Sequence, residues 1–223
     1  MIWKMIALDW RAKGLAAKMT IFFVPLILFF MGFTISQMYV LLFSAWIAMA
    51  YSTYPFHSEE NGALNNLFLT LPVTRRQIVS ARYVYSLIIL AVHIPMGLAI
   101  MPVVRHFSRS RWYFGVEGHI GIIAVCVLVF AIFHVFMFPL LFRLGFQKGK
   151  MFGLYIPTTV FIVAFFAMEI FSSMSDGRNL FFEIAVMASD NLLLLSGVLG
   201  VLSAAVMLLS YWLSLRVFTR RDL

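Results

Sequence analysis

Long apolar runs separated by short polar stretches dominate the chain. The first run, Met19–Phe56, has no charged residue over 38 positions. A helix rises 1.5 Å per residue, so this run would measure about 57 Å, nearly twice the hydrocarbon core of a bilayer. It must therefore fold as two helices, and Gly32-Phe33-Thr34-Ile35-Ser36-Gln37 is its turn-like interruption. The pattern predicts six spans, at about Ala16–Phe33, Met38–Phe56, Tyr83–Val104, Ile120–Phe142, Met151–Phe171 and Leu192–Val217. Lys18 stands at the start of the first, where a long stem lets its ammonium snorkel to water. Each run is apolar on all sides, which predicts helices rather than barrel strands and an all-α membrane protein.

Composition narrows the reading further. Of 223 residues, 63% are hydrophobic and 12% charged, with a mean hydropathy of +0.97. Soluble domains carry about 25% charged residues, so a water-soluble globule is excluded, as is disorder. The single cysteine, Cys126, lies in an apolar run and excludes a disulfide scaffold. Six spans leave roughly 100 residues for termini and loops, too few for a separate soluble domain. Residues 1–223 are therefore expected to form one transmembrane domain.

Charge sets the expected orientation. With the N-terminus inside, the inner segments carry 13 of the 17 basic residues: Lys4, Arg11, Lys13, Lys18, Arg75, Arg76, Arg82, Arg143, Lys148, Lys150, Arg216, Arg220 and Arg221. The outer loops carry four, Arg105, Arg109, Arg111 and Arg178. The asymmetry predicts both termini in the cytoplasm. The net charge of +8 is then a topology signal. It does not imply a nucleic-acid partner, because these residues flank spans and form no stripe. Residues 1–18 are read as an interfacial helix rather than a cleavable leader. Lys4, Arg11 and Lys18 recur every seven positions on one face, and Ile2, Ile6 and Trp10 share another, with Trp3 nearby. The alternative is a basic tail that only sets topology.

The polar segment between the second and third spans holds the most information. Ser58 precedes Glu59 and Glu60, an N-cap followed by acids at the positive end of a helix dipole. Leu64, Leu67, Phe68 and Leu71 fall at i, i+3, i+4 and i+7, while Asn61, Asn65, Asn66 and Thr70 fall largely on the other side. Pro72 ends the helix. Thr74-Arg75-Arg76-Gln77 has the capping-box form for a long helix running through Ile78 and Arg82 into the third span. The expectation is a short amphipathic helix over 58–72, a proline break, and a helix projecting beyond the bilayer. The apolar face fits either a partner's groove or the membrane surface and the bundle itself.

With these residues in view, the chain resembles the small membrane permeases of type-2 ABC exporters. The resemblance rests on the six-span layout, the amphipathic N-terminal segment, and Glu59-Glu60-Asn61-Gly62, Asn65-Asn66, Leu71-Pro72-Val73-Thr74-Arg75, Ile78-Val79 and Arg82-Tyr83. Arg220-Arg221-Asp222-Leu223 after the last span is similar to the family's ends. The resemblance implies that residues 58–72 are a coupling helix docking on a separate ABC ATPase subunit. Glu59, Glu60, Asn61, Asn65, Arg75, Arg76 and Arg82 would then supply polar contacts, with Leu64, Leu67, Phe68, Leu71 and Pro72 the apolar and stiffening ones. For the arginines, setting topology is an equal alternative. The resemblance also implies a dimer of two copies or of two related permeases, a bacterial inner-membrane location, and export of hydrophobic or amphipathic cargo such as peptide, lipid or drug. The 14 methionines and 24 phenylalanines suit a soft cavity for such cargo.

ATP chemistry is expected on the partner, with ATP and magnesium bound there and no cofactor held by this chain. Gly145-Phe146-Gln147-Lys148-Gly149-Lys150-Met151 is the nearest thing to a phosphate loop. It has one residue too few between its glycines and no Ser or Thr after the lysine, so it reads as a short cytoplasmic turn. No enzyme constellation appears. Glu59-Glu60 resembles the glutamate pair of membrane CAAX-type proteases, whose pattern continues with an arginine where this chain has Leu64. A sensor or assembly factor that docks a cytosolic partner without moving cargo is the alternative to a transporter.

Polar groups inside spans are costly and mark candidate positions on a translocation path: His93 beside Pro95, His134, Thr158 and Glu169. An intramembrane histidine can equally satisfy a neighbouring helix. The five histidines show no metal-ligand spacing. Ser196, Gly200 and Ala204 form a small-residue stripe expected to pack the sixth span closely. Residues 179–190 are expected to form an outer amphipathic element, which the resemblance likens to a re-entrant closure of the pathway.

Overall fold

The computed structural model describes residues 3, 5–7, 10, 15–34, 39–60, 74–107, 116–160, 162, 163, 167 and 191–220, with only the backbone described at 15–22, 34, 39, 58–60 and 117. Residues 3, 5–7 and 10 are helical. The elements are α1 (Leu15–Thr34), α2 (Tyr39–Ser52), α3 (Tyr54–Glu60), α4 (Arg75–Phe107), α5 (Val116–Lys150), a π-helical turn at Met151–Tyr155 that continues as α-helix over 156–160, and α6 (Leu192–Thr219). There is no strand among the described residues. Arg75–Phe107, the run Gly118–Val160, and Leu192–Thr219 are long and apolar enough to cross a membrane.

The charge-free run is divided as its length requires, with α1 ending at Thr34 and α2 starting at Tyr39. A second interruption follows. Pro55 has no N–H to donate back to Tyr51, which weakens the helix at this point, and here the chain leaves it. The chain turns at Thr53, and the amides of Phe56 and His57 close onto the Thr53 carbonyl at 3.0 and 3.4 Å. The Ser52 and Thr53 hydroxyls fold back onto the carbonyls of Met49 and Ala50, at 2.6 and 2.7 Å. This corrects the assignment of Ser58 as an N-cap: α3 already begins at Tyr54, and Ser58 lies inside it. Proline in a first turn was the relevant signal, because its missing N–H has no partner to lose there.

The start of α4 carries the expected capping box. The Thr74 amide donates to Gln77 Oε1 at 3.1 Å, and the Gln77 amide donates to Thr74 Oγ1 at 3.3 Å. From that cap α4 runs for 33 residues, about 50 Å, longer than the hydrocarbon core is thick. The described run 116–160 forms a hairpin that reverses at one residue. Gly145 has φ 79° and ψ 178°, a conformation essentially reserved for glycine. The chain then returns antiparallel to α5. A Cβ placed on Gly149 would lie 2.8 Å from the Leu141 Cα, and one on Gly153 would lie 2.8 Å from the Met137 Cα. Only glycine at these two positions lets the two backbones come so close.

α4 packs against α1 and α2, α2 also meets α5, and α6 lies mainly along α5. The fully buried side chains Leu28, Leu41, Met49, Tyr85, Met137, Phe138 and Leu141 form the centre of this arrangement. One expectation about α6 is corrected. Gly200 and Ala204 face outward, and a Cβ on Gly200 would meet nothing within 4 Å. The packed seam is instead Ser196, Ser203, Ser210 and Ser214, all buried, with Phe218. The first three are seven residues apart, which keeps them on one line of a helix wound about a neighbour. A serine hydroxyl can satisfy itself on its own helix and remain nearly as small as alanine. Ser196 and Ser203 do this, donating to Leu192 O and Leu199 O at 2.7 Å each.

Candidate functional site

The end of α3 and the start of α4 lie at the same end of the bundle, both near Phe218. Asn61, Leu64, Asn65, Leu67, Phe68, Leu71 and Pro72 lie outside the described residues, so only their anchors are described. Glu59 and Glu60 form the last backbone positions of α3. Glu169 and the predicted outer element 179–190 also lie outside the described residues.

On the α3 side the anchor is Phe56. Its ring meets Phe138 and Phe142 of α5 edge-on at 5.4 and 4.9 Å between centroids. Phe138 meets Tyr83 of α4 at 4.7 Å, and Phe142 meets Phe218 of α6 at 5.1 Å. Four helices thus join in one aromatic node, whose contacts are edge-to-face, as ring quadrupoles favour, except the tilted Phe142–Phe218 pair. His57 reaches Phe146, just past the Gly145 turn, at 4.9 Å. Arg82 is fully buried, its guanidinium carbon 5.3 Å from the Phe56 ring centre. At that depth the charge acts inside the bundle, as a cation–π brace of α3 against α4.

On the α4 side the anchor is polar. Arg75 Nη1 donates to the carbonyls of Phe218 and Thr219, at 3.0 and 2.9 Å, where α6 ends. A cation there satisfies orphan carbonyls and the negative end of the helix dipole. Further along, Ser80 Oγ and Tyr211 Oη are 3.1 Å apart. Tyr83 Oη lies 2.6 Å from Ser210 Oγ and 2.9 Å from Ser214 Oγ. Ser210 in turn donates to the His134 carbonyl of α5 at 2.8 Å. A line of polar contacts therefore ties the first turns of α4 to the last turns of α6 and on to α5. Arg76 is exposed beside it.

The intramembrane candidates are distributed differently. His93 is buried, with Nδ1 2.8 Å from the Ile89 carbonyl, its own carbonyl accepting from Ser44 Oγ, and its ring 5.6 Å from Tyr51. His134 is also buried. Its Nδ1 is 2.8 Å from the Phe130 carbonyl and its ring lies between Phe130 and Phe138, at 4.0 and 4.5 Å. Thr158 is buried and Pro95 is exposed. Both histidine rings thus lie packed inside the bundle. The apolar crevice bounded by Leu42, Trp46, Cys126 and Phe133 is lined by none of these four residues.

Both described flanks of the segment are thus held in the bundle, α3 in the aromatic node and α4 in the polar seam. Sequence reasoning named Arg75 and Arg82 but missed Phe56, Tyr83, Ser210 and Ser214. The seven-residue serine spacing in α6 was the available signal. Tyr83 entered only through the Arg82-Tyr83 motif, which gives no warning of its hydroxyl contacts.

A family model described as "ABC-2 family transporter protein" matches residues 5–219. No curated protein and no solved structure matches the chain.

Proposed function

The chain belongs to the ABC-2 transporter family, and on that premise we propose that it is the membrane subunit of an ATP-driven exporter. It crosses the bacterial inner membrane six times with both termini in the cytoplasm. It works as a dimer, of two copies or of two related permeases, whose pathway carries hydrophobic or amphipathic cargo. ATP and magnesium bind a separate ABC ATPase subunit, and the chain catalyses no reaction. Residues 58–72 dock on that subunit, with Leu67, Phe68 and Leu71 buried in its surface and Glu59, Glu60 and Arg76 at the rim. Closure of the ATPase then displaces α3 and α4 together.

The observation that best supports this reading is the convergence at the base. Both helices flanking the segment are braced into the same end of the bundle, through Phe56 on one side and through Arg75 and Tyr83 on the other. A simple connector has no need of such anchoring, whereas a lever is useless without it. The 13-to-4 distribution of basic residues supports a cytoplasmic location for that end.

The test is co-purification in detergent with candidate ABC ATPases, followed by ATPase assays in liposomes. The Leu67→Asp, Phe68→Asp double variant is expected to insert normally and to lose the ATPase or its regulation. Unchanged association and hydrolysis would overturn the docking role and favour a sensor or assembly factor.

A further inference from the structure

Just beyond the base, a groove opens between the N-terminal helical residues and the first half of α4. Trp3, Ile6, Ala7 and Trp10 form one wall and Tyr85 and Ile89 contribute to the other, around a volume of about 370 Å³. The four N-terminal positions are i, i+3, i+4 and i+7, a single stripe of a helix. The walls are almost wholly apolar. Water does not fill such a space stably: each molecule occupies about 30 Å³ and needs two to four polar partners. In a bilayer the available filler is hydrocarbon. Trp3 and Trp10 remain 69% and 43% exposed. Indoles are favoured at the boundary between acyl chains and headgroups.

The sequence around the groove indicates which headgroup. Lys4 directly follows Trp3 and Arg11 directly follows Trp10. Residues 1–18 contain four basic residues, Lys4, Arg11, Lys13 and Lys18, against one acid, Asp9. We propose that this groove is a binding site for an anionic phospholipid, one acyl chain lying between the tryptophan stripe and α4. The headgroup is drawn by the basic residues of the first 18 positions. The lipid thereby pins the N-terminal segment to α4. The site rests on the groove and the charge pattern alone and stands whether or not an ATPase docks at the base.

Tryptophan quenching by brominated lipid tests it directly. With Trp46, Trp112 and Trp212 changed to phenylalanine, only Trp3 and Trp10 report. The full chain is reconstituted in mixed phosphatidylcholine and phosphatidylglycerol vesicles, with either lipid brominated on its acyl chains. Brominated phosphatidylglycerol is expected to quench several-fold more strongly than brominated phosphatidylcholine at equal mole fraction. Lys4→Gln with Arg11→Gln should remove that preference, by about fivefold in relative affinity for each basic residue. Equal quenching by the two lipids would overturn the proposal, leaving only unselective contact. Absence of quenching by either would overturn it too, because protein would then cover the groove. Native mass spectrometry of the otherwise unaltered chain gives a second readout. A retained phosphatidylglycerol is expected, and is lost in Ala7→Phe, which fills the groove. Equal retention in that variant would place the lipid elsewhere.

Discussion

Where α5 folds back on itself, backbone meets backbone: Gly149 and Gly153 leave no room for a Cβ against Leu141 and Met137. Where α4 meets α6, side-chain hydroxyls fill the gap instead, with Tyr83 between Ser210 and Ser214 and Arg75 on the final carbonyls. Both seams solve the same problem. Inside a bilayer, apolar surface gains little by leaving lipid, so helices associate through close packing or through polar contacts. The glycine seam depends on atomic fit and tolerates no displacement. The hydroxyl seam offers Tyr83 two acceptors one helical turn apart. The first suits a fixed hairpin. The second suits a junction that must hold while its helices shift.

Substitutions separate the two seams. The largest effect is expected at the hairpin. Gly153→Leu drives a side chain into the Met137 backbone, which cannot yield as a flexible side chain would. Overpacking of this kind costs about 1–3 kcal/mol or more, and the expected outcome is a marked fall in thermal stability in detergent. Gly145→Val comes next. Its φ of 79° strains any residue with a Cβ, at about 1–3 kcal/mol. Trypsin should then cut at Arg143 or Lys148 faster than in the unaltered chain.

Tyr83→Phe is expected to lower stability by only about 1 kcal/mol, since net hydrogen-bond contributions are modest, in membranes as in water. Its signature is functional. In the reconstituted complex, transport per ATP hydrolysed should fall while ATPase binding persists. If Tyr83→Phe matched Gly153→Leu in stability loss, the contrast between the seams would disappear. The smallest effect is expected from Thr74→Ala, which removes half of the capping box at a cost of about 0.5–1 kcal/mol. It should appear as faster hydrogen exchange at Gln77 and Ile78, with little change elsewhere.

Some of this was readable from residue order. A charge-free run too long for one crossing had to break near Gly32–Gln37, and Thr74 and Gln77 announced the start of α4 through their spacing and chemistry. The face of α6 that packs was not readable by hydrophobic periodicity, because lipid and protein interior demand the same apolar residues. Two small-residue registers were available there, Ser196-Gly200-Ala204 and Ser196-Ser203-Ser210. Packing along α5 buries the second, whereas Gly200 and Ala204 of the first look outward. At the base, the basic residues were identifiable as a group, but nothing in their spacing distinguishes Arg82, buried over Phe56, from exposed Arg76. That distinction depends on where α3 turns, and so on Pro55. The candidate histidines were legible as costly groups, whereas their burial within the bundle was not.

If the segment between α3 and α4 meets an ATPase, site-specific photo-cross-linking captures the contact. A photoreactive amino acid at Phe68, in the full chain co-expressed with its candidate ATPase, is predicted to give a covalent adduct with that subunit under illumination. Adducts confined to lipid or to this chain itself would contradict the account.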